Sequence, residues 1–255
     1  MGVLGILTCE ILELEFAYLL STDTDISRVT VLENSRSARI LESIESAGSV
    51  NPDRISALES FAPKPQKCME VLVNVLELGL HNRKKLLQEG LVEAACEMGS
   101  HVDALLLGYG LCGNALEKPD ALLSDAGVPI FIPMDEDHPV DDCVGLIIGG
   151  RRAYYAEQCN VAGTFFMIPG WTRHWRRIFD KEFGNVSVDM ARRLFKNYER
   201  SLLISTPIMS EETMKQNSNE FNTLFGFRQE IRQGTLQILM DSWEEAKTFL
   251  KTGLD

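Results

Sequence analysis

The chain has 255 residues, an apolar fraction of 45% and a net charge of −12, from 25 Lys and Arg against 37 Asp and Glu. That acidic balance argues against a nucleic-acid or anionic-membrane partner, whose recognition needs clustered cations, and no stretch approaches the roughly 20 apolar residues required to span a bilayer. The length and apolar content suit a single α/β domain over residues 1–255, with two sub-lobes, 1–150 and 151–255, as the alternative division.

The first predicted element is a short apolar strand, Gly2 to Thr8, ending at Cys9-Glu10 and followed by a helical pattern. Its opening Met1-Gly2-Val3-Leu4-Gly5 lacks a basic stretch and a small-residue cleavage site, so the expected location is cytoplasmic. In that reducing compartment the six cysteines point to metal binding, catalysis or packing rather than to disulfides. Val29 to Leu32 reads as the next strand, and Ser35 or Ser37 as the cap of a helix over Ile40, Leu41 and Ile44. Pro52, Pro63 and Pro65 make 48–66 irregular, and 68–80 is apolar and periodic. A helix follows with Leu86, Leu87, Leu91, Val92 and Ala95, in which Cys96 falls at a core-facing step; Cys68 likewise takes an apolar position.

Asp103 to Asn114 is the stretch on which the rest is organised. Ala104 to Leu107 is apolar without alternation, as in a central strand of a parallel sheet. It runs into a turn where Gly108, Gly110 and Gly113 bracket Cys112, giving a backbone that can adopt positive φ and approach a ligand closely. A short helix over 115–123 precedes a strand over Val128 to Ile132, then an acidic loop and Cys143 at the start of a helix. A helix over 151–158 presents Arg151, Tyr154 and Tyr155, and Gly163 to Ile168 is a strand leading through Pro169-Gly170-Trp171 into a helix with His174 and Trp175. Arg173, Arg176 and Arg177, and Arg192 with Arg193, read as solvated helix faces. Arg200 to Ser205 is a buried strand, Ser210 an N-cap, 225–231 strand-like, and 236–240 and 243–250 helical. The alternation predicts a mostly parallel sheet with helices on both faces and a site at the C-terminal ends of its strands.

Cys9, Cys112 and Cys143 each leave such a strand end or its loop, so parallel neighbours would bring them to one edge. Three thiolates could hold Zn²⁺, with Glu10, His138, Asp142 or water as the fourth ligand. They could equally hold a [4Fe–4S] cluster with one iron open to substrate, which the flanking glycine amides would suit. No CxxC pair gives local spacing support for either. His81 is the candidate for substrate contact, Tyr109, Tyr154 and Trp171 for pocket walls, and Arg151 for holding a carboxylate or phosphate. His101 and His174 are expected to be solvated. Gly108-x-Gly110-x-x-Gly113 satisfies a dinucleotide-binding pattern only superficially, since a cysteine stands inside it and no acidic residue ends a plausible next strand.

These pieces, together with Leu80-His81-Asn82, Leu107 to Gly113, Asp142-Cys143 and Gly163-Thr164-Phe165-Phe166, resemble the family called domain of unknown function 1638. The chain departs from that pattern at Leu111, where an acidic residue is common, at Asp141, where histidine is common, and at Lys84, where proline is common. The resemblance implies a setting near corrinoid-dependent methyltransferases, and hence methyl or one-carbon chemistry with a corrinoid protein or methyltransferase as partner. Two further readings stand beside a metal-dependent enzyme acting on a small molecule. One is a metal-carrying accessory protein without turnover. The other is a metal-free enzyme with Cys112 as nucleophile and His81 or His138 as base.

Overall fold

The computed structural model describes residues 2–64, 68–77, 83–184 and 186–253. Among them, strands β1 (Val3–Cys9), β2 (Ile26–Leu32), β3 (Asp53–Ile55), β4 (Met69–Leu76), β5 (Ala104–Gly108) and β6 (Ile130–Phe131) form one sheet in the order β3-β2-β4-β1-β5-β6. Every ladder in it is parallel. β1 and β5 are buried along their whole length, which is why neither sequence alternates.

Helix α1 (Glu13–Thr22) carries the chain from β1 toward β2, and α3 (Lys84–Gly99) carries it from β4 to β5, the opposite way across the sheet. Right-handed crossovers running in opposite directions lie on opposite faces. The contacts agree: a Cβ on Gly108 would strike Phe16 of α1, whereas one on Gly5 would meet Met98 of α3. Helix α2 (Ala38–Ala47) packs beside α1 and buries Ile40, Leu41 and Ile44.

Between β5 and β6 lies the short helix α4 (Pro119–Leu122); beyond β6 come the small antiparallel pair β7 (Met134–Asp135) and β8 (His138–Pro139), then helices α5 (Cys143–Ile148) and α6 (Arg151–Asn160). A second parallel sheet follows, ordered β11-β10-β9, from β9 (Thr164–Met167), β10 (Arg200–Ser205) and β11 (Arg228–Gln233). Helices α7 (Pro169–Phe183), α8 (Val188–Leu194) and α9 (Glu211–Phe225) accompany it. Its core is aromatic, with Phe165, Trp171, Trp175 and Phe195 all within ring contact of Phe221. Arg200, 2% exposed, is held by Glu157 at 2.7 Å, Glu230 at 2.6 Å and the Thr164 hydroxyl at 2.8 Å. The last helix, α10 (Gln237–Thr252), returns to pack on β1, β5 and β6 of the first sheet.

Several sequence expectations need correction. The two helical patterns near the C-terminus are one helix, and the helix expected over 115–123 is reduced to α4 plus a 3₁₀ turn. Cys96 is exposed because α3 turns Leu87, Leu91, Ala95 and Met98 inward on another face, and Cys68 is exposed just before β4. His174 is not solvated: it is buried between α7 and α1, with Nε2 at 2.5 Å from Glu13 and Nδ1 at 3.1 Å from Arg39. Ser210 does cap α9, accepting the Thr213 amide at 3.1 Å. Ser210→Ala should lower stability by about 1 kcal/mol, read as an earlier urea midpoint with unchanged slope.

Candidate functional site

Cys9, Cys112 and Cys143 line one cavity of about 290 Å³, together with Tyr109, Asp142 and Trp171. Register explains the first two. Thr8 pairs with Gly108, so the neighbouring strands β1 and β5 deliver Cys9 and the 109–114 turn to one edge. The third comes by a backbone clamp: the Leu111 amide donates to the Val140 carbonyl at 2.7 Å and the Cys112 amide to Asp141 at 2.9 Å. Cys143 follows two residues later as the first residue of α5, whose start is capped by Asp142 accepting the Gly145 amide at 2.8 Å.

Gly110 permits the clamp, since a Cβ there would lie 2.5 Å from the Val140 carbonyl oxygen and 2.9 Å from the Asp142 nitrogen. Gly113 serves differently. Cys112, Gly113 and Asn114 run through left-handed backbone at φ 46°, 64° and 62°. For cysteine that conformation costs on the order of 1–2 kcal/mol, strain of the kind that concentrates at functional sites. The turn aims the Cys112 side chain into the cavity at that cost.

Burial pushes the Cys9 thiol up to about 12 and the Cys112 thiol up to about 11, and holds Cys143 well above its ordinary range. Without a cation among them all three are neutral at pH 7. Their mutual charge effects, Cys9 on Cys143 and Cys112 on both, place the sulfurs in one electrostatic neighbourhood. Among the described residues no group of three or more His, Cys, Asp or Glu side chains is arranged tightly enough to hold a metal ion. Tyr109 is 4% exposed, and among the described residues its buried hydroxyl has no hydrogen-bond partner of good geometry, although it interacts with the Cys9 thiol. A buried hydroxyl beside a thiol in a cavity wall can donate to a ligand or to the thiolate.

The other expected site residues divide. Gly108, Gly110 and Gly113 line the cavity, as does Tyr109. Glu10 turns away from it, into an adjoining charged pocket, and accepts from Arg177 at 2.6 Å. Arg177 is therefore more than a solvated helix residue. Arg151 is engaged by Asp141 through two hydrogen bonds, at 2.9 and 3.2 Å, and does not line the cavity. His138 turns its Nδ1 to its own Pro139 carbonyl, 3.1 Å away. His81 lies outside the described residues. Phe166, Ile178 and Glu77, which sequence reasoning passed over, also line the cavity; Glu77 was detectable as the first charge after an apolar strand.

The molecule is thus a parallel α/β protein with a three-thiol cavity at the carboxyl ends of its central strands. The profile of the family described as "Protein of unknown function (DUF1638)" matches residues 75–243, well over half of the chain, and the protein belongs to that family. No curated protein and no solved structure matches it. Among the described residues no helix is long and apolar enough to cross a membrane.

Proposed function

We propose that this protein is a cytoplasmic enzyme acting on a small molecule at a metal centre held by Cys9, Cys112 and Cys143, and that the centre is a [4Fe–4S] cluster. The observation that carries the reading is the meeting of three thiols from three separate chain segments on one cavity. The three thiols are not gathered tightly enough for a single ion, and the volume of about 290 Å³ between them leaves room for a multi-atom cluster. Such a cluster, with three cysteine ligands, would offer its fourth iron to an oxygen of the substrate as a Lewis acid.

The chain's own residues have distinct roles. The three cysteines bind, giving up their thiol protons as they do so. Tyr109 supplies a hydroxyl to a ligating sulfur or to the substrate, and Leu12, Phe166, Trp171 and Ile178 keep water out of the cavity. A metal-free thiol nucleophile is less well supported. Among the described residues no histidine lines the cavity, and burial raises rather than lowers each thiol. Methyl or one-carbon chemistry beside a corrinoid protein is the setting we propose, on the family resemblance.

The test is elemental analysis with an absorption spectrum on protein purified without oxygen. About four iron and four sulfide per chain, with a broad band near roughly 400 nm, are expected in the wild type, and neither in Cys112→Ala. Stoichiometric zinc lost in that variant would replace the cluster by a zinc site. Absence of metal from the wild type would overturn the reading.

A further inference from the structure

Next to the thiol cavity lies a second pocket of about 210 Å³, lined by Glu10, Ser35, Arg36, Glu77, Arg177 and Lys181. The two share Glu77, and neighbouring residues feed both: Cys9 enters the first and Glu10 the second, Ile178 the first and Arg177 the second. The second pocket sits past the carboxyl ends of β1, β2 and β4, where open parallel sheets bind the anionic parts of their ligands.

In a chain of net charge −12, this spot carries three cationic side chains against two carboxylates. Arg36 reaches Glu77 at 3.0 Å, Lys181 also pairs with Glu77, and Arg177 gives Nη1 to Glu10 at 2.6 Å. The rest of the Arg177 guanidinium is left over. Its Nε and Nη2, the edge that grips a carboxylate or phosphate through two parallel bonds, are buried and have no partner among the described residues. An unsatisfied guanidinium edge costs free energy unless an anion completes it. Helix α2 begins two residues after Arg36 and, among the described residues, no side chain caps its first turn, so its positive end adds to the same field.

We propose that this pocket is an oxyanion subsite, in which Arg177, backed by Arg36 and Lys181, holds the carboxylate or phosphate of the small molecule whose other end enters the thiol cavity. The proposal deepens the function given above, naming its substrates as small oxyanions. The subsite uses none of the cysteines, so its success or failure is separable from that of the metal centre.

Calorimetric titration of the anaerobically purified protein at low ionic strength tests it, with inorganic phosphate and succinate as probes and chloride as control. Saturable binding of one or both probes is expected, and which of them binds identifies phosphate or carboxylate as the group taken. Arg177→Gln should weaken it by tenfold or more, and Arg177→Lys should recover only part of that loss because the two-bond fork is gone. Arg36→Gln, at a partly exposed site where Glu77 keeps Lys181, should weaken it several-fold in a protein of normal melting temperature. Cys112→Ala should bind the anion as the wild type does. No saturable binding in the wild type, or affinity unchanged in both Arg177→Gln and Arg36→Gln, would overturn the subsite whatever the metal content. Anion binding in a protein without metal would leave the subsite standing and remove the cluster.

Discussion

Gly110→Ala should empty the thiol site although it removes no ligand. The added carbon would sit 2.5 Å from the Val140 carbonyl oxygen and 2.9 Å from the Asp142 nitrogen, and both are backbone atoms that cannot rotate aside. Either the 109–114 turn or the 140–142 segment must withdraw. That lengthens the two hydrogen bonds, donated by the Leu111 and Cys112 amides to the Val140 and Asp141 carbonyls, that hold Cys112 beside Cys143. Overpacking of this kind costs on the order of 1–3 kcal/mol, or roughly 2–4 °C in melting temperature per kcal/mol for a domain of this size. Metal content should fall with it. The comparison is Gly113→Ala, where no described residue lies within 4 Å and the penalty is the left-handed φ of 64°, about 1 kcal/mol. That variant should keep its metal. Full metal content and an unchanged melting temperature in Gly110→Ala would mean that the clamp does not position the thiols.

Glu15→Gln should stabilise the protein, and by an amount that grows with pH. Glu15 is fully buried in α1, neither of its carboxylate oxygens has a partner among the described residues, and Glu13 stands two residues away. Burial pushes its carboxyl up to about 8 from an ordinary value of 4.5, with the Glu13 charge adding to the rise. The unfolded chain releases this proton near 4.5 and the folded chain only near 8. The folded state therefore binds the extra proton between those values, and stability falls as pH rises through that window. Below it the acid and the amide are alike. At pH 7, about 2.5 pH units into the window, the wild type has lost about 3 kcal/mol that the glutamine variant keeps. Urea unfolding of the two proteins at pH 4.5, 6 and 7.5 reads the difference directly. A constant gap across that range would show that Glu15 is not held protonated by its surroundings. The charge on Glu15 also acts on Cys143, so titrating it reaches the cavity electrostatically.

The sequence by itself determined the strand ends and the thiols on them. Unbroken apolar runs at Val3–Cys9 and Ala104–Gly108 can be buried only on both faces, which fixes a parallel sheet. Apolar period placed α2, and the capping Ser210 placed the start of α9; Ser37 stands at the N-cap position of α2, but its hydroxyl bonds back to the Asn34 carbonyl and among the described residues makes no cap. Where sequence reading went astray, contacts between distant segments decide the outcome. Thiols such as Cys96 are placed by which face of a helix meets the sheet, and His174 is buried because Glu13, 161 positions away, receives it.

The site divides along the same line. A strand-end cysteine is visible in one dimension, but its neighbours are not. Only the tertiary structure set β5 beside β1, closed the 109–114 turn on the 140–142 segment, and put Arg177 and Lys181 of α7 across from Arg36 of the β2–α2 loop. It also separated Arg151, engaged by Asp141, from the cavity it was expected to serve. The reason is physical: local propensity acts over a few residues, whereas strand order, backbone clamps and ion pairs are settled by which long-range burial and pairing the whole chain can satisfy at once.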